Sequence, residues 1–397
     1  MKNGRPQLSF ENTQTAFRLK NDRALRRAHW LFGMLRFQLL VRIGNAVVNW
    51  SIKLRLPVTG IIKMTVFDQF CGGETLSNCL PILDQMSEVG VKSILDYSVE
   101  GKETEGQFDA ACSTLLELVD FSKKNPSAPF VVFKPTAVGR FKLFVKVSDG
   151  KALTEQENIE WKVVLQRYEL ICQKAYDNQI PVLIDAEESW MQKAADELAL
   201  LMMKKFNTSR AIVFNTAQLY RTDRLEYLKK LNESALSEGF FVGVKLVRGA
   251  YMEKERERAQ KLGYASPICI SKQATDINFD EGLRFMLSNC DRMSLYFGTH
   301  NEKSTHLAVQ ILGERNISSA DQRVWFGQLY GMSDHISFNL GDKGYNVTKY
   351  VPFGPVREVV PYLTRRANEN TSVAGQTGRE LSLIRKEIER RRSLKKD

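Results

Sequence analysis

The sequence predicts an α/β fold, a distorted (βα)8 barrel preceded by a helical region and followed by a last helix that caps the site. Three observations predict it. From about residue 92, eight short β-rich runs alternate with longer stretches that are apolar at helical spacing. That alternating part covers about 250–280 residues, a typical length for eight strand–helix units. No GxGxxG follows an early run, which weakens the doubly wound open sheet as the alternative.

Taken in order, residues 1–91 form an expected helical region packed on the barrel. From about Phe17 to Leu56, Trp30, Leu31, Phe32, Leu35, Phe37 and Trp50 stand among Arg and Lys, and Pro57 stops the pattern. The same mixture suits a helix lying in a lipid interface, although a helical layer on the main domain is the preferred reading. The barrel is expected over 92–375. Its runs are Ser93–Tyr97, Phe130–Lys134, Val182–Asp185 and Ala211–Asn215, then Phe241–Val247, Leu295–Gly298, Val324–Gly327 and Val347–Val351. Helical stretches such as Glu155–Asn178, Ser189–Phe206 and Asp223–Gly239 lie between them. Residues 376–397 read as a basic tail, helical or disordered.

In such a barrel, chemistry lies at the carboxyl ends of the strands. That edge reads Asp96, Lys134, Asp185, Gln218 shortly after the fourth run, Lys245 to Tyr251, Thr299-His300-Asn301, Gln328, and Tyr350 inside the eighth. Buried charges are costly unless paired or bound, so this many polar groups argue for a large polar ligand. Singly, each is ambiguous. Lys134 is either a rim lysine or a partner for a carboxylate, and Asp185 is either a helix N-cap or a buried orienting acid.

The stretch from Pro361 to Asn370 is expected to be helical with Pro361 in its first turn. Tyr362, Arg365, Arg366 and Glu369 then share one polar and aromatic face. Two adjacent arginines suit a small carboxylate, each offering a bidentate fork, and the competing reading is a solvated charged face.

Of the 397 residues, 57 are Lys or Arg and 46 Asp or Glu, a net charge of +11 concentrated toward the two ends. That favours contact with lipid or nucleic acid, or simple solubility. The aromatic residues of the barrel half lie within strand-like runs and not in a basic stripe, which argues against nucleic acid. Six scattered cysteines without CxxC spacing are read as free thiols, and no histidine pair has metal-ligand spacing, so no metal is expected. No secretory signal is visible, and the apolar run Ile43–Ile52 is too short to span a bilayer.

VKLVRGAYMEKERERAQ at 244–260, GTHN at 298–301 and YLTRRANEN at 362–370 together resemble the proline dehydrogenase family, and FKPT at 133–136, LIDAEE at 183–188 and LYGM at 329–332 agree. The likeness runs from about Phe67 to Gly375 and is greatest to the stand-alone, mitochondrial-type branch and its bacterial relatives, with nothing extending into an aldehyde dehydrogenase. The resemblance implies FAD held without a Rossmann motif. It also implies oxidation of L-proline to Δ1-pyrroline-5-carboxylate, with electrons passed to membrane quinone. The implied setting is the bacterial cytoplasm, peripheral on the inner membrane, or the mitochondrial matrix and inner membrane. By the same resemblance Lys134, Arg365 and Arg366 clamp the substrate carboxylate, and Asp185 neighbours the lysine. Leu246, Tyr251, Tyr350 and Tyr362 surround the substrate ring. Gln218, Lys245, Val247, Arg248, Gly249, Ala250, Thr299, His300, Asn301 and Gln328 line the flavin, with Glu369 in its neighbourhood. Lys245 replaces an Arg of the bifunctional bacterial branch, Met252 a Trp, and Ile270 stands where a hydroxyl residue is common. Gly354-Pro355 is read as a hinge. A hydroxyproline dehydrogenase is the nearest alternative, against which Tyr350 would crowd a 4-hydroxyl. A Schiff-base lyase or aldolase with Lys134 or Lys245 as nucleophile is the alternative from another class.

Overall fold

The structure is a computed structural model. It describes residues 8–37, 59–97, 103–372 and 376–395 and scattered positions between 39 and 50, without the side chains of 59, 61 and 368–377. The side chain of Glu369 and much of the expected helix between Phe17 and Leu56 therefore fall outside what is described. Eight parallel strands close a barrel in chain order: β1 (Lys92–Tyr97), β2 (Phe130–Phe133), β3 (Val182–Ile184), β4 (Val213–Gln218), β5 (Val242–Val247), β6 (Met293–Gly298), β7 (Val324–Leu329) and β8 (Val347–Phe353). The expected (βα)8 architecture is what forms. Strand ends differ from the expected runs: β4 starts and ends later, so Gln218 is its last residue and not a loop residue.

By internal contacts the chain divides into two compact units, residues 101–327 and residues 1–100 with 328–397. The expected boundaries at 91 and 375 do not mark this division. β1 pairs with β8 from Lys92↔Thr348 to Tyr97↔Phe353, so the first and last strands belong to one unit.

In the unit 101–327, helices are set by local chemistry. Thr154 and Glu157 form a reciprocal capping box at the head of the helix Glu155–Asp177. Gly239, left-handed at φ 81°, ends the helix Arg224–Glu238. The barrel floor is aromatic. Phe130 of β2 meets the rings of Phe214 (β4), Tyr296 (β6) and Trp325 (β7) edge-on at 6.0, 5.7 and 5.0 Å. Two glycines make room for these rings: a Cβ at Gly243 would overlap Phe214, and one at Gly327 would overlap Tyr296.

In the other unit a core of Phe17, Leu25, Phe32, Phe70, Val359, Leu363, Leu381 and Ile384 joins the helices Asp22–Leu35, Val356–Ser372 and Gln376–Ser393. The segment read as a basic tail, helical or disordered, holds the helix Gln376–Ser393, and its Leu381 and Ile384 belong to this core. Its Glu387 is fully buried between Arg390 and Arg391, and Arg391 donates to the carbonyls of Phe17 and Lys20. Beneath it lies a buried ionic group: Lys349 of β8 pairs with Asp334 at 2.8 Å, Lys20 reaches the same carboxylate at 3.3 Å, and His335 lies 3.7 Å from Glu380. Burial lowers the Lys349 pKa and raises that of Glu380.

Replacing Gly327 by Ala forces a methyl into the Tyr296 ring at the packed floor. The expected loss is about 2–3 kcal/mol, read as a lower midpoint in chemical denaturation. A midpoint equal to wild type would mean that the floor is loosely packed.

Candidate functional site

In the unit 101–327, Lys134 directly follows β2, is half-buried, and opens the short 3-10 turn Pro135–Ala137. Asp185 follows β3, and its N–H donates to the Phe133 carbonyl at 2.8 Å. Asp185 is not a helix N-cap: the next helix begins at Ser189 with Glu188 at the cap. Its carboxylate instead receives Lys245 Nζ from β5 at 2.6 Å. Both side chains are largely buried, at 16% and 10% exposure, so each answers the other's desolvation.

Strand alternation gives Lys245 and Val247 one face and Leu246 the opposite one. Leu246 is fully buried. Gln218 at the end of β4 ties two neighbours together: its Nε2 donates to the Glu187 carbonyl at 2.7 Å and its Oε1 accepts from the Ala250 N–H at 3.3 Å. Gly249 (φ 136°) lies against the Tyr220 ring, where a side chain would collide. Tyr251 caps the helix Met252–Leu262, and the Lys254 ammonium stands 5.5 Å from its ring centre.

Arg248 holds the edge between β5 and β6. It donates to Asp276 at 2.7 Å, Thr299 Oγ1 at 2.8 Å and Ser304 Oγ at 2.9 Å, and stacks 4.3 Å from the Phe279 ring centre. Against its burial, the bonds from Lys272 and Arg248 hold the Asp276 pKa low. Asn301 caps the helix Glu302–Glu314 through Ser304, and His300 between them is half-buried. Ile270 is 93% exposed.

The residue that sequence reasoning missed is Glu187, within LIDAEE at 183–188. It is buried, and its carboxylate accepts from Thr136 N at 3.0 Å and Thr136 Oγ1 at 2.9 Å. Burial pushes its pKa from 4.5 up to about 7, against the pull of Lys134 and Thr136. Its position two residues beyond Asp185 was the available signal, but three acids stand in four residues and periodicity does not say which of them are buried.

In the second unit, Gln328 is buried and its Oε1 accepts from Ser337 Oγ at 2.7 Å. Tyr350 is buried on β8, with its carbonyl accepting from the Tyr330 N–H at 2.9 Å. The arginine helix is Val356–Ser372, so Pro361 sits inside it and not in its first turn. The helix begins earlier, directly after Gly354 (φ 142°) and Pro355. Its apolar stripe, Val356, Val359, Val360 and Leu363, begins upstream of the stretch singled out in the sequence. Arg366 is buried and lies 5.1 Å from the Tyr362 ring centre, as residues one turn apart on one face should. Arg365 is half-buried.

All six cysteines are free thiols, as their spacing predicted. Among the described residues no cluster of three His, Cys, Asp or Glu is arranged for a metal, and no helix is long and apolar enough to cross a membrane.

Because the native Glu187 pKa lies above the unfolded one, the folded state holds an extra proton between pH 4.5 and about 7. Stability from this group is therefore present at low pH and lost as pH rises through that window. Glu187→Gln removes the loss. Its stability relative to wild type should rise by about 3 kcal/mol between pH 5 and pH 8 in urea titrations, and a difference independent of pH would contradict the assignment.

The sequence model described as "Proline dehydrogenase" matches residues 79–379. A carbapenem antibiotics biosynthesis protein, CarD, of Pectobacterium carotovorum subsp. carotovorum is 35% identical over 322 residues, covering 81% of this chain and 83% of that one. Proline dehydrogenase 1, mitochondrial, of Dictyostelium discoideum is 32% identical, covering 85% and 67%. Hydroxyproline dehydrogenase of Xenopus laevis is 34% identical, covering 94% and 88%. Among solved structures, proline utilization A from Bdellovibrio bacteriovorus inactivated by N-propargylglycine shares the fold, with a TM-score of 0.68 at 21% identity. The match covers 92% of this chain, which spans 37% of that protein's length. With the closed barrel and its polar strand ends, these likenesses establish that the chain belongs to the proline dehydrogenase family.

Proposed function

We propose that this oxidoreductase of the proline dehydrogenase family oxidises L-proline to Δ1-pyrroline-5-carboxylate with bound FAD and passes the electrons to a quinone. The observation that carries the reading is the row of polar groups at the ends of β2 to β6, with two half- or fully buried lysines, Lys134 and Lys245, on a barrel of this family. The donor set fits a flavin. The Gln218 amide, the Lys245 ammonium, Thr299 and His300 form an edge rich in groups that hydrogen-bond to ring oxygens and nitrogens. A flavin held by these residues would supply the acceptor for a hydride from proline C5.

The chain's own residues do the rest. Lys245, braced by Asp185, puts a fixed positive charge at this edge, where it stabilises negative charge arising on the acceptor. Lys134 binds the carboxylate of the substrate, and Arg365 and Arg366 are assigned the same task. Fixing the carboxylate orients the ring, and orientation of this kind contributes several kcal/mol on the order of effective-molarity effects. Cations near the amine lower its pKa and favour the neutral amine, which hydride loss requires. Tyr350, Tyr362 and Tyr251 supply aromatic walls for the ring.

Contact with a lipid surface is part of the proposal. Trp30, Phe37 and Trp50 are 57%, 61% and 62% exposed on a basic segment. The proposed setting is the cytoplasmic face of a bacterial inner membrane.

The test is proline-dependent reduction of a dye acceptor by the purified protein, with the cyclic imine trapped as its aminobenzaldehyde adduct. Formation of the adduct with flavin bound is expected, and dye reduction without it overturns the assigned product. Lys134→Met and Arg366→Met should each raise KM for proline at least tenfold with flavin content unchanged. Unaltered kinetics in either would remove that residue from the carboxylate site.

The second reading, 4-hydroxyproline oxidation, is favoured by the match to the Xenopus enzyme across nearly the whole chain. Buried Tyr350 speaks for proline. A kcat/KM higher for L-proline than for 4-hydroxy-L-proline is expected, and the reverse order would establish the second reading.

A further inference from the structure

Glu187 is 6% exposed, and every polar group it owns is engaged. Its N–H donates to Gln192 Oε1 at 2.8 Å and its carbonyl accepts from Gln218 Nε2 at 2.7 Å. The main chain is thus pinned on both sides. The hydrogen bonds of the carboxylate go to Thr136: Oε1 takes the Thr136 N–H at 3.0 Å, and the Thr136 hydroxyl lies 2.9 Å from both oxygens, which share its one proton, while the charge of Lys134 acts on the same carboxylate. Thr136 is the middle residue of the turn Pro135–Ala137, which begins directly after Lys134.

The N–H groups in the first turn of a helix have no partner within it. Pro135 has no N–H to offer, so Thr136 N–H is the first donor of this turn that needs an acceptor. Glu187 supplies it. A lysine side chain has four rotors and a point charge without a fork, so it aims well only if its base is fixed. The base of Lys134 is held on one side by β2 and on the other by this clamp.

We propose that Glu187 is a positioning residue for Lys134, acting through Thr136. It sets where the lysine ammonium meets the carboxylate of an imino-acid substrate. The proposal rests on the carboxylate role given to Lys134 above. It separates Glu187 from Asp185, whose carboxylate reaches across to Lys245. Of three acids in four residues, one braces the cation of β5, one braces the turn after β2, and Glu188 pairs with Lys254 at 3.0 Å.

The test compares Thr136→Val, Glu187→Ala, Glu187→Gln and Lys134→Met in the full chain. Two readouts are used: steady-state proline oxidation, and binding of tetrahydro-2-furoate, the ring carboxylate with oxygen in place of the amine. Thr136→Val and Glu187→Ala should each raise KM and the furoate Kd about five- to tenfold, with kcat within twofold. Glu187→Gln should stay within threefold of wild type, because an amide still accepts from the Thr136 N–H and donates to its hydroxyl. The double variant Thr136→Val/Glu187→Ala should be no worse than Glu187→Ala, since both act through one clamp. Losses that multiply in the double variant, or a wild-type KM in Thr136→Val, overturn the proposal. Thr136→Val decides the matter if Glu187→Ala does not fold. If Lys134→Met leaves furoate binding intact, the reading of Lys134 fails, and the clamp has nothing to position. If Lys134→Met loses binding while the clamp variants keep it, only the clamp fails.

Discussion

Lys245 on β5 and Asp185 after β3 meet at 2.6 Å above the aromatic floor of the barrel, and the strand-edge arrangement depends on that pair. Neither charge could be left alone at such burial, and removing one would leave the other uncompensated. Because the partners come from strands separated by β4, the pair spans the end of β4, where Gln218 links the Glu187 carbonyl to the Ala250 N–H. Lys245 and Gln218 are held on strands, while Asp185, Glu187 and Ala250 lie just beyond strand ends and are tied to them by these bonds. The closed sheet below leaves no edge to fray.

Much of this was legible in the sequence, for reasons that can be named. A parallel barrel buries both faces of each strand, so its strands read as near-continuous apolar runs, and the runs at 130, 182, 241 and 324 stood out for that reason. The last polar residue of such a run marks the end of the strand, which placed Lys134, Asp185 and Lys245 at or near the carboxyl ends of β2, β3 and β5. What was not legible was direction. Leu246 stands among functional-looking neighbours but faces away from Lys245. The three acids Asp185, Glu187 and Glu188 take three different partners. A spacing of one or two residues at a strand end does not fix which side chain turns inward, because the chain leaves the regular pleat there.

The arginine helix and the last helix show a related limit. A window starting at Pro361 made the face of Tyr362, Arg365 and Arg366 look free of an apolar stripe, yet the stripe runs through Val356, Val359 and Val360 in the turn before. Pro361 looked like a helix start because proline is tolerated there, whereas here it lies within the helix behind Gly354-Pro355. In the last helix, charge hid the pattern. Leu381, Leu383 and Ile384 are buried, and Glu380 and Glu387 are buried too, each with basic or histidine neighbours. Net charge describes how a segment interacts with its surroundings, and three apolar residues at the right spacing were enough to bring it into a core.

The central claim is that this barrel holds a flavin and draws a hydride from L-proline. The most direct measurement is the visible spectrum of the purified protein before and after L-proline is added without oxygen. The account predicts flavin bands in the isolated protein that bleach with proline. A colourless protein, or a yellow one whose spectrum proline leaves unchanged, would contradict it.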